Sequence, residues 1–245
     1  MLDQPQTILL TGGTSGIGHA LLKQLLPHGH RIIIVARQEQ KITDLVSNHA
    51  NLFGYPCDLA SLQQIEAMTR RLAMEHPGLS LVINNAAIQS TPCFLDDDFS
   101  FNTIEHETRV NFLAPAWITA LLLPTLNHQQ HRCAIVNISS GLALAPKTNS
   151  AIYCATKAAL HSLSQSLRYQ LEGTNIHLHE AFLPLIDTPM TAGRDSNKLS
   201  ADEAARQIIK GISQGRKEIY IGKAKLLPPL LRMAPGIVKQ ILRRY

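Results

Sequence analysis

The sequence predicts a doubly wound α/β fold, a seven-stranded parallel sheet flanked by helices and closed as a single domain. Three observations carry this. Short apolar runs alternate with segments of helical period along all 245 residues. A glycine-rich turn joins the first such run to the first helical segment. Hydrophobic residues are 45% and charged residues 17% with no low-complexity tract, which excludes disordered, collagen-like and disulfide-scaffold chains.

The elements follow in order. Thr7-Ile8-Leu9-Leu10 reads as a buried strand, and from Gly16 to Leu26 the apolar residues Ile17, Ala20, Leu21 and Leu25 recur at helical spacing. Arg31 to Ala36 is β-branched and continuous, as a strand covered on both faces requires. Helical segments near 38–47, 61–75, 102–126, 151–172 and 201–214 then alternate with strand-like runs near 51–56, 79–84, 133–138, 176–182 and 217–221. Seven strands and six helices result, with no linker-like stretch and no internal repeat.

The net charge of +5 is unevenly placed. Residues 210–245 hold nine Lys/Arg against Glu218, leaving 14 basic and 17 acidic residues, net −3, in 1–209. With aromatics at 5% and no broad basic patch, a nucleic-acid partner is not expected. The amino terminus lacks a basic signal region, and no run of about twenty uninterrupted apolar residues occurs, so a cytoplasmic location is expected. Cys57, Cys93, Cys133 and Cys154 show no C-x-x-C spacing and are expected reduced and half-buried. No metal is expected: most of the eleven histidines read as surface residues without ligand spacing, and Asp96-Asp97-Asp98 reads as a solvated loop.

Between the first strand and helix, Thr11-Gly12-Gly13-Thr14-Ser15-Gly16-Ile17-Gly18 offers backbone amides and a positive helix end to a pyrophosphate. The spacing is G-x-x-x-G-x-G, not the general G-x-G-x-x-G. At the end of the second strand, where an acid would bind the ribose of NAD, Ala36 and Arg37 stand instead. A guanidinium pairs with a 2′-phosphate, and such a bond is worth about 1.5–3 kcal/mol, so NADP (NADPH) is the expected cofactor.

These residues, with Cys57-Asp58-Leu59, Asn84-Asn85-Ala86-Ala87, Asn111, Ile138-Ser139-Ser140-Gly141, Tyr153-Cys154-Ala155-Thr156-Lys157 and Pro184-Leu185-Ile186-Asp187-Thr188, resemble the short-chain dehydrogenase/reductase family in its compact Rossmann-type form. The stretch from Ser139 through Leu160 resembles its DltE-like oxidoreductases. The resemblance implies hydride transfer between NADP(H) and a small carbonyl or secondary alcohol. It implies that Gly12, Thr14, Ser15, Gly16, Ile17 and Gly18 hold the phosphates, Asp58 and Leu59 the adenine, and Asn85 and Ala86 the cofactor behind the fourth strand. Pro184, Ile186 and Thr188 would border the nicotinamide, and Leu185 stands where the family usually has glycine. Pairing into a homodimer or homotetramer through the helices carrying Asn111 and Tyr153 is also implied.

Carbonyl reduction needs a proton donor at the oxygen, and Tyr153 and Lys157, four apart on one helix face, answer that need. Lowering a tyrosine from pKa about 10 to about 7 takes roughly 4 kcal/mol, so the pair must be shielded. Ser139 is expected to orient the substrate oxygen with Tyr153, and Asn111, by resemblance, to relay water to Lys157. Without a G-x-S-x-G elbow a hydrolase is not indicated. A catalytically weak NADP-binding protein working through partner or membrane contacts is the alternative, kept open by Leu185.

Residues 189–199 read as a mobile cover in which Arg194 or Lys198 either steers an anionic substrate or is simply solvated. Residues 1–225 read as the oxidoreductase domain and 226–245 as a basic amphipathic tail. There Ile237, Val238, Ile241, Leu242 and Tyr245 share a face opposite Lys239, Gln240, Arg243 and Arg244. That tail fits an anionic membrane surface, in which case the protein would be peripheral at the inner membrane, or a second subunit, or its own sheet.

Overall fold

The computed structural model describes residues 2–91, 93–97, 99–194 and 197–243. In chain order the elements are β1 (Thr7–Thr11), α1 (Gly16–Leu25), β2 (Arg31–Ala36), α2 (Glu39–Val46), β3 (Leu52–Pro56), α3 (Leu62–Glu75), β4 (Leu79–Asn84), α4 (Phe101–Thr108), a π-helical turn (Arg109–Leu113), α5 (Ala114–Asn127), β5 (Cys133–Ser140), α6 (Ala151–Gln170), β6 (Ile176–Leu183), β7 (Ile186–Asp187), β8 (Leu199–Ser200), α7 (Ala201–Ser213), β9 (Glu218–Tyr220), α8 (Leu227–Met233) and α9 (Pro235–Arg243).

Seven strands pair in parallel in the order β3-β2-β1-β4-β5-β6-β9. Their continuous apolar runs are explained by two-sided burial: Ile8, Leu9, Leu10 and Ile32 through Val35 are all 0% exposed. Alternation splits them, Ile8, Leu10, Ile32 and Ile34 packing with Leu21, Leu25, Ala204 and Ile208, while Leu9, Ile33 and Val35 pack with Ile65, Leu72, Ile118 and Leu122. Helix ends follow local chemistry. The Ser61 and Ser200 hydroxyls accept from the amides of Gln64 and Glu203, and Gly29, at φ +74°, turns the chain from α1 into β2.

Four expectations need revision. The helix expected over 102–126 is interrupted at its middle. Pro115 has no N–H for the Asn111 carbonyl, and the ladder shifts so that Ala114 donates to Arg109 five residues back. The resulting Phe101–Asn127 helix is long and apolar enough to cross a membrane, yet Ala114, Ile118, Leu122 and Leu126 are core residues. The expected mobile cover is tied down where it is described: Lys198 Nζ donates to the Thr191 carbonyl at 2.6 Å and sits 3.6 Å from Asp187, and β7 and β8 form a two-stranded ladder. Asp195 and Ser196 lie outside the described residues.

The apolar side of the tail helix is only partly covered. Val238 is buried and Leu242 half-buried, while Ile237 and Ile241 are exposed, as are Leu226, Leu230 and Met233; Arg244 and Tyr245 lie outside the described residues. The tail is tied to the rest of the chain where the Thr148 amide and hydroxyl donate to the Arg243 carbonyl at 3.2 and 2.8 Å. The cysteines are free, as expected, but Cys57, Cys133 and Cys154 are buried outright and only Cys93 is half-buried. Three histidines, His30, His76 and His179, are buried, and His161 Nδ1 pairs with the fully buried Glu180 at 2.8 Å. Among the described residues no group of three or more His, Cys, Asp or Glu could hold a metal; Asp98 is not described.

A Cβ on Gly18 would lie 2.0 Å from the Gly12 carbonyl oxygen, whereas one on Gly78 would meet nothing nearer than Thr7 Oγ1 at 3.9 Å. Gly18→Ala should therefore cost about 3 kcal/mol, lowering Tm by about 6–12 °C in a thermal melt, while Gly78→Ala stays within about 2 °C of the parent.

Candidate active site

The site lies over the carboxyl ends of β1 and β4, where the chain departs toward opposite edges of the sheet. Thr11, ending β1, fixes this point. Its hydroxyl donates to the Ile83 carbonyl at 3.4 Å and accepts from the amides of Asn85 and Ala86 at 2.9 and 3.0 Å. Asn85 Nδ2 donates back to the carbonyls of Thr11 and Gly12 at 2.9 and 3.3 Å.

A trough of about 670 Å³ runs from this junction, lined by Gly12, Thr14, Ser15, Gly16, Ile17, Arg37, Asp58, Leu59, Asn85, Ala86, Tyr153, Lys157 and Thr188 among others. Gly12 and Gly16 take φ of +70° and +53°, and a Cβ on Gly12 would press on Asn85 and Ala86 at 3.0 and 3.1 Å. Ser15 opens α1 without capping it, so neither its hydroxyl nor the first amides of the helix are used internally. This cradle fits the pyrophosphate of a dinucleotide. Gly18 is buried under the turn and shapes it without lining it. Asp58 Oδ1 accepts from the Ala60 amide at 3.0 Å, so its carboxylate also shapes its own turn.

At the far end Ala36, Arg37, Gln38 and Lys41 line the trough. Lys41, on the first turns of α2 just after Arg37, was missed in the sequence. Pro184 and Ile186 border a second cavity instead of the trough; Thr188 borders both. Leu185 needs no glycine-like backbone, since no non-glycine residue among those described has positive φ.

Tyr153 lies where the two cavities meet and lines both. Lys157 Nζ stands 5.7 Å from the centre of its ring and donates to the Ile138 carbonyl at 2.8 Å. Burial pushes the Tyr153 phenol up to about 12, against the lowering effect of its hydrogen bond with the Ser140 side chain. Burial also brings the Lys157 ammonium down to about 8, partly opposed by the charge of Glu180.

The serine facing Tyr153 is thus Ser140, not the expected Ser139. Successive side chains on a strand point to opposite faces. Ser139, 2% exposed with its hydroxyl unpartnered, borders the trough, whereas Ser140 lines the second cavity. Asn111 is fully buried; its amide accepts from and donates to the backbone of Ile88 at 2.8 Å each and reaches Thr156 Oγ1 at 3.3 Å. Its side chain pins the loop after β4 to α6.

Residues 6–199 match the family model for the short chain dehydrogenase. The protein belongs to the short-chain dehydrogenase family. This short-chain dehydrogenase is 37% identical over 224 residues to the uncharacterized oxidoreductase DltE of Bacillus subtilis (strain 168), covering 87% of this chain and 86% of that one. It superposes with a TM-score of 0.89 on a short chain dehydrogenase from Burkholderia cenocepacia J2315 in complex with NADP, at 22% identity and 99% coverage of both chains. A short chain dehydrogenase/reductase from Burkholderia phymatum in complex with NAD gives 0.85 at 19% identity, covering 100% of this chain and 97% of that one. The family acts on small molecules, and its structures carry NADP or NAD in the same fold.

Steady-state kinetics on any carbonyl that this oxidoreductase accepts should separate the two serines. Ser140→Ala should lower kcat/KM by about a hundredfold or more, as loss of a donor aimed at developing charge does, while Ser139→Ala changes it less than about threefold.

Proposed function

We propose that the protein is an NADP(H)-dependent carbonyl reductase or secondary-alcohol dehydrogenase in which Tyr153 is the general acid/base. The observation that carries this reading is the position of Tyr153 at the opening between trough and second cavity, beside Ser140 and flanked by Lys157. When bound in the trough, a reduced nicotinamide supplies the hydride.

The protein supplies the proton. A substrate oxygen placed between the hydroxyls of Ser140 and Tyr153 is oriented by the first and protonated by the second as negative charge develops on it. The phenolate left behind is stabilised by the Lys157 ammonium, one of whose donors is anchored on the Ile138 carbonyl. Asn111 serves as a positioning residue: it holds the loop that walls the trough. In the oxidative direction the same groups run in reverse.

For the cofactor, Arg37 and Lys41 give the trough's far end two cations, and Ala36 stands where an NAD-type acid would be, which supports NADP over NAD. Phe101 and Tyr169, 80% and 70% exposed on α4 and α6, support self-association through those helices.

Three measurements test this reading. Comparing NADPH with NADH as donors, Arg37→Asp should reduce the preference for NADPH by about tenfold to a hundredfold. For reduction by the parent enzyme, kcat/KM should be level below about pH 7 and fall as pH rises through the region of about 8, because Lys157 is charged only below its lowered pKa and the phenolate loses its counter-charge above it. Tyr153→Phe should leave no measurable turnover while NADPH still binds by fluorescence titration.

A further inference from the structure

Across Tyr153 from the trough lies the second cavity, of about 680 Å³. Its walls include Leu142, Leu185 and Met190, closed by Leu227 and Leu242 from the carboxyl-terminal helices. Three cations, Lys147, Arg194 and Lys223, also line it, and no Asp or Glu is among the described lining residues. Lys223 is exposed. Lys147 is not: only 9% of its surface is accessible.

A largely buried lysine is costly to keep charged unless an anion compensates it, and among the described residues no ion pair or side-chain hydrogen bond engages Lys147. Burial and then repulsion by the Arg194 guanidinium lower its affinity for a proton, against the opposite effect of Cys154. Arg194 donates to the neutral amide oxygen of Gln89. That contact aims it, because Gln89 Nε2 is held in turn by Ser150 Oγ at 3.0 Å. The loop of Lys147 is fixed as well, through the bonds of Thr148 to the Arg243 carbonyl at 3.2 and 2.8 Å. Two cations therefore face this largely apolar cavity with no carboxylate among its described lining residues.

We propose that this cavity takes an elongated, largely apolar carbonyl compound whose end remote from the reacting carbon is anionic, with its carboxylate or phosphate oxygens between Lys147 and Arg194. The proposal rests on the carbonyl-reductase reading and adds to it a substrate class. Lys198, the other cation considered in this stretch, has no such role: it is taken up by Asp187 and the Thr191 carbonyl.

Medium-chain ω-oxo carboxylates, their methyl esters and the matching ω-oxo alkyl phosphates, reduced with NADPH, provide the first test. Either anion should exceed the ester in kcat/KM by about tenfold to a hundredfold, mainly through KM, the size expected of charge-assisted hydrogen bonds. Which of the two is the better substrate identifies the anion. Lys147→Gln and Arg194→Gln should each reduce that ratio at least fivefold, and Lys147→Arg should restore most of it. Both glutamine variants remove an uncompensated charge, so folding is not at risk; a thermal melt checks this.

Calorimetric titration of a saturated medium-chain carboxylate, which cannot be reduced, provides the second test: saturable binding to the parent, lost in Lys147→Gln. Equal kcat/KM for acid, phosphate and ester, or carboxylate binding indifferent to both substitutions, overturns the anion site and leaves the oxidoreductase reading standing. Lys147-dependent carboxylate binding with no consumption of NADPH or NADH on any carbonyl does the opposite.

Discussion

A single threonine hydroxyl holds together the place where the sheet divides. From β1 the chain winds toward β3, and from β4 it winds toward β9, so the carboxyl ends of these two central strands diverge and leave a crevice. Thr11 bridges it, taking two amides from the β4 side and giving its proton to the Ile83 carbonyl. Asn85 returns the contact to the Thr11 and Gly12 carbonyls. The glycine turn, the opening of α1 and the floor of the trough are all set by this exchange.

The second organising feature is the division of the crevice by Tyr153. One side is a polar trough with glycine, serine and amide surfaces and two cations at its end; the other is an apolar chamber with cations at its rim and interior. The phenol at the partition borders both cavities. Burial raises its cost of ionisation, which in the proposed reaction keeps it protonated until a developing negative charge and a nearby ammonium make transfer favourable.

Most of the frame is legible from residue order. Continuous β-branched runs and helical periods place the strands of the main sheet within a few residues, because two-sided burial leaves an unambiguous pattern. What local pattern could not supply was orientation. Parity says that Ser139 and Ser140 face opposite ways, but only the packing of α6 decides which of them meets Tyr153. Pro115 lies inside the helix expected over 102–126, and the π turn that it brings left no mark in the apolar period. The short β7–β8 ladder has two residues per strand, too few for any periodic signal. The tail's apolar positions were visible, but which of them are covered, Val238 and Leu242 and not Ile237 and Ile241, is set by packing against distant segments. Lys147 carried no signal at all, for nothing in its neighbours marks a lysine as buried.

Leu227 and Leu242 close the chamber from a part of the chain beyond residue 199, where the match to the family model stops. The chamber is thus completed by residues outside that match, while most of its lining, Lys147 and Arg194 included, lies within it. Substitutions at Leu227 or Leu242 alter the closure of the chamber without touching Tyr153 or Lys157, which makes the carboxyl-terminal segment a natural handle for redirecting this scaffold toward new molecules.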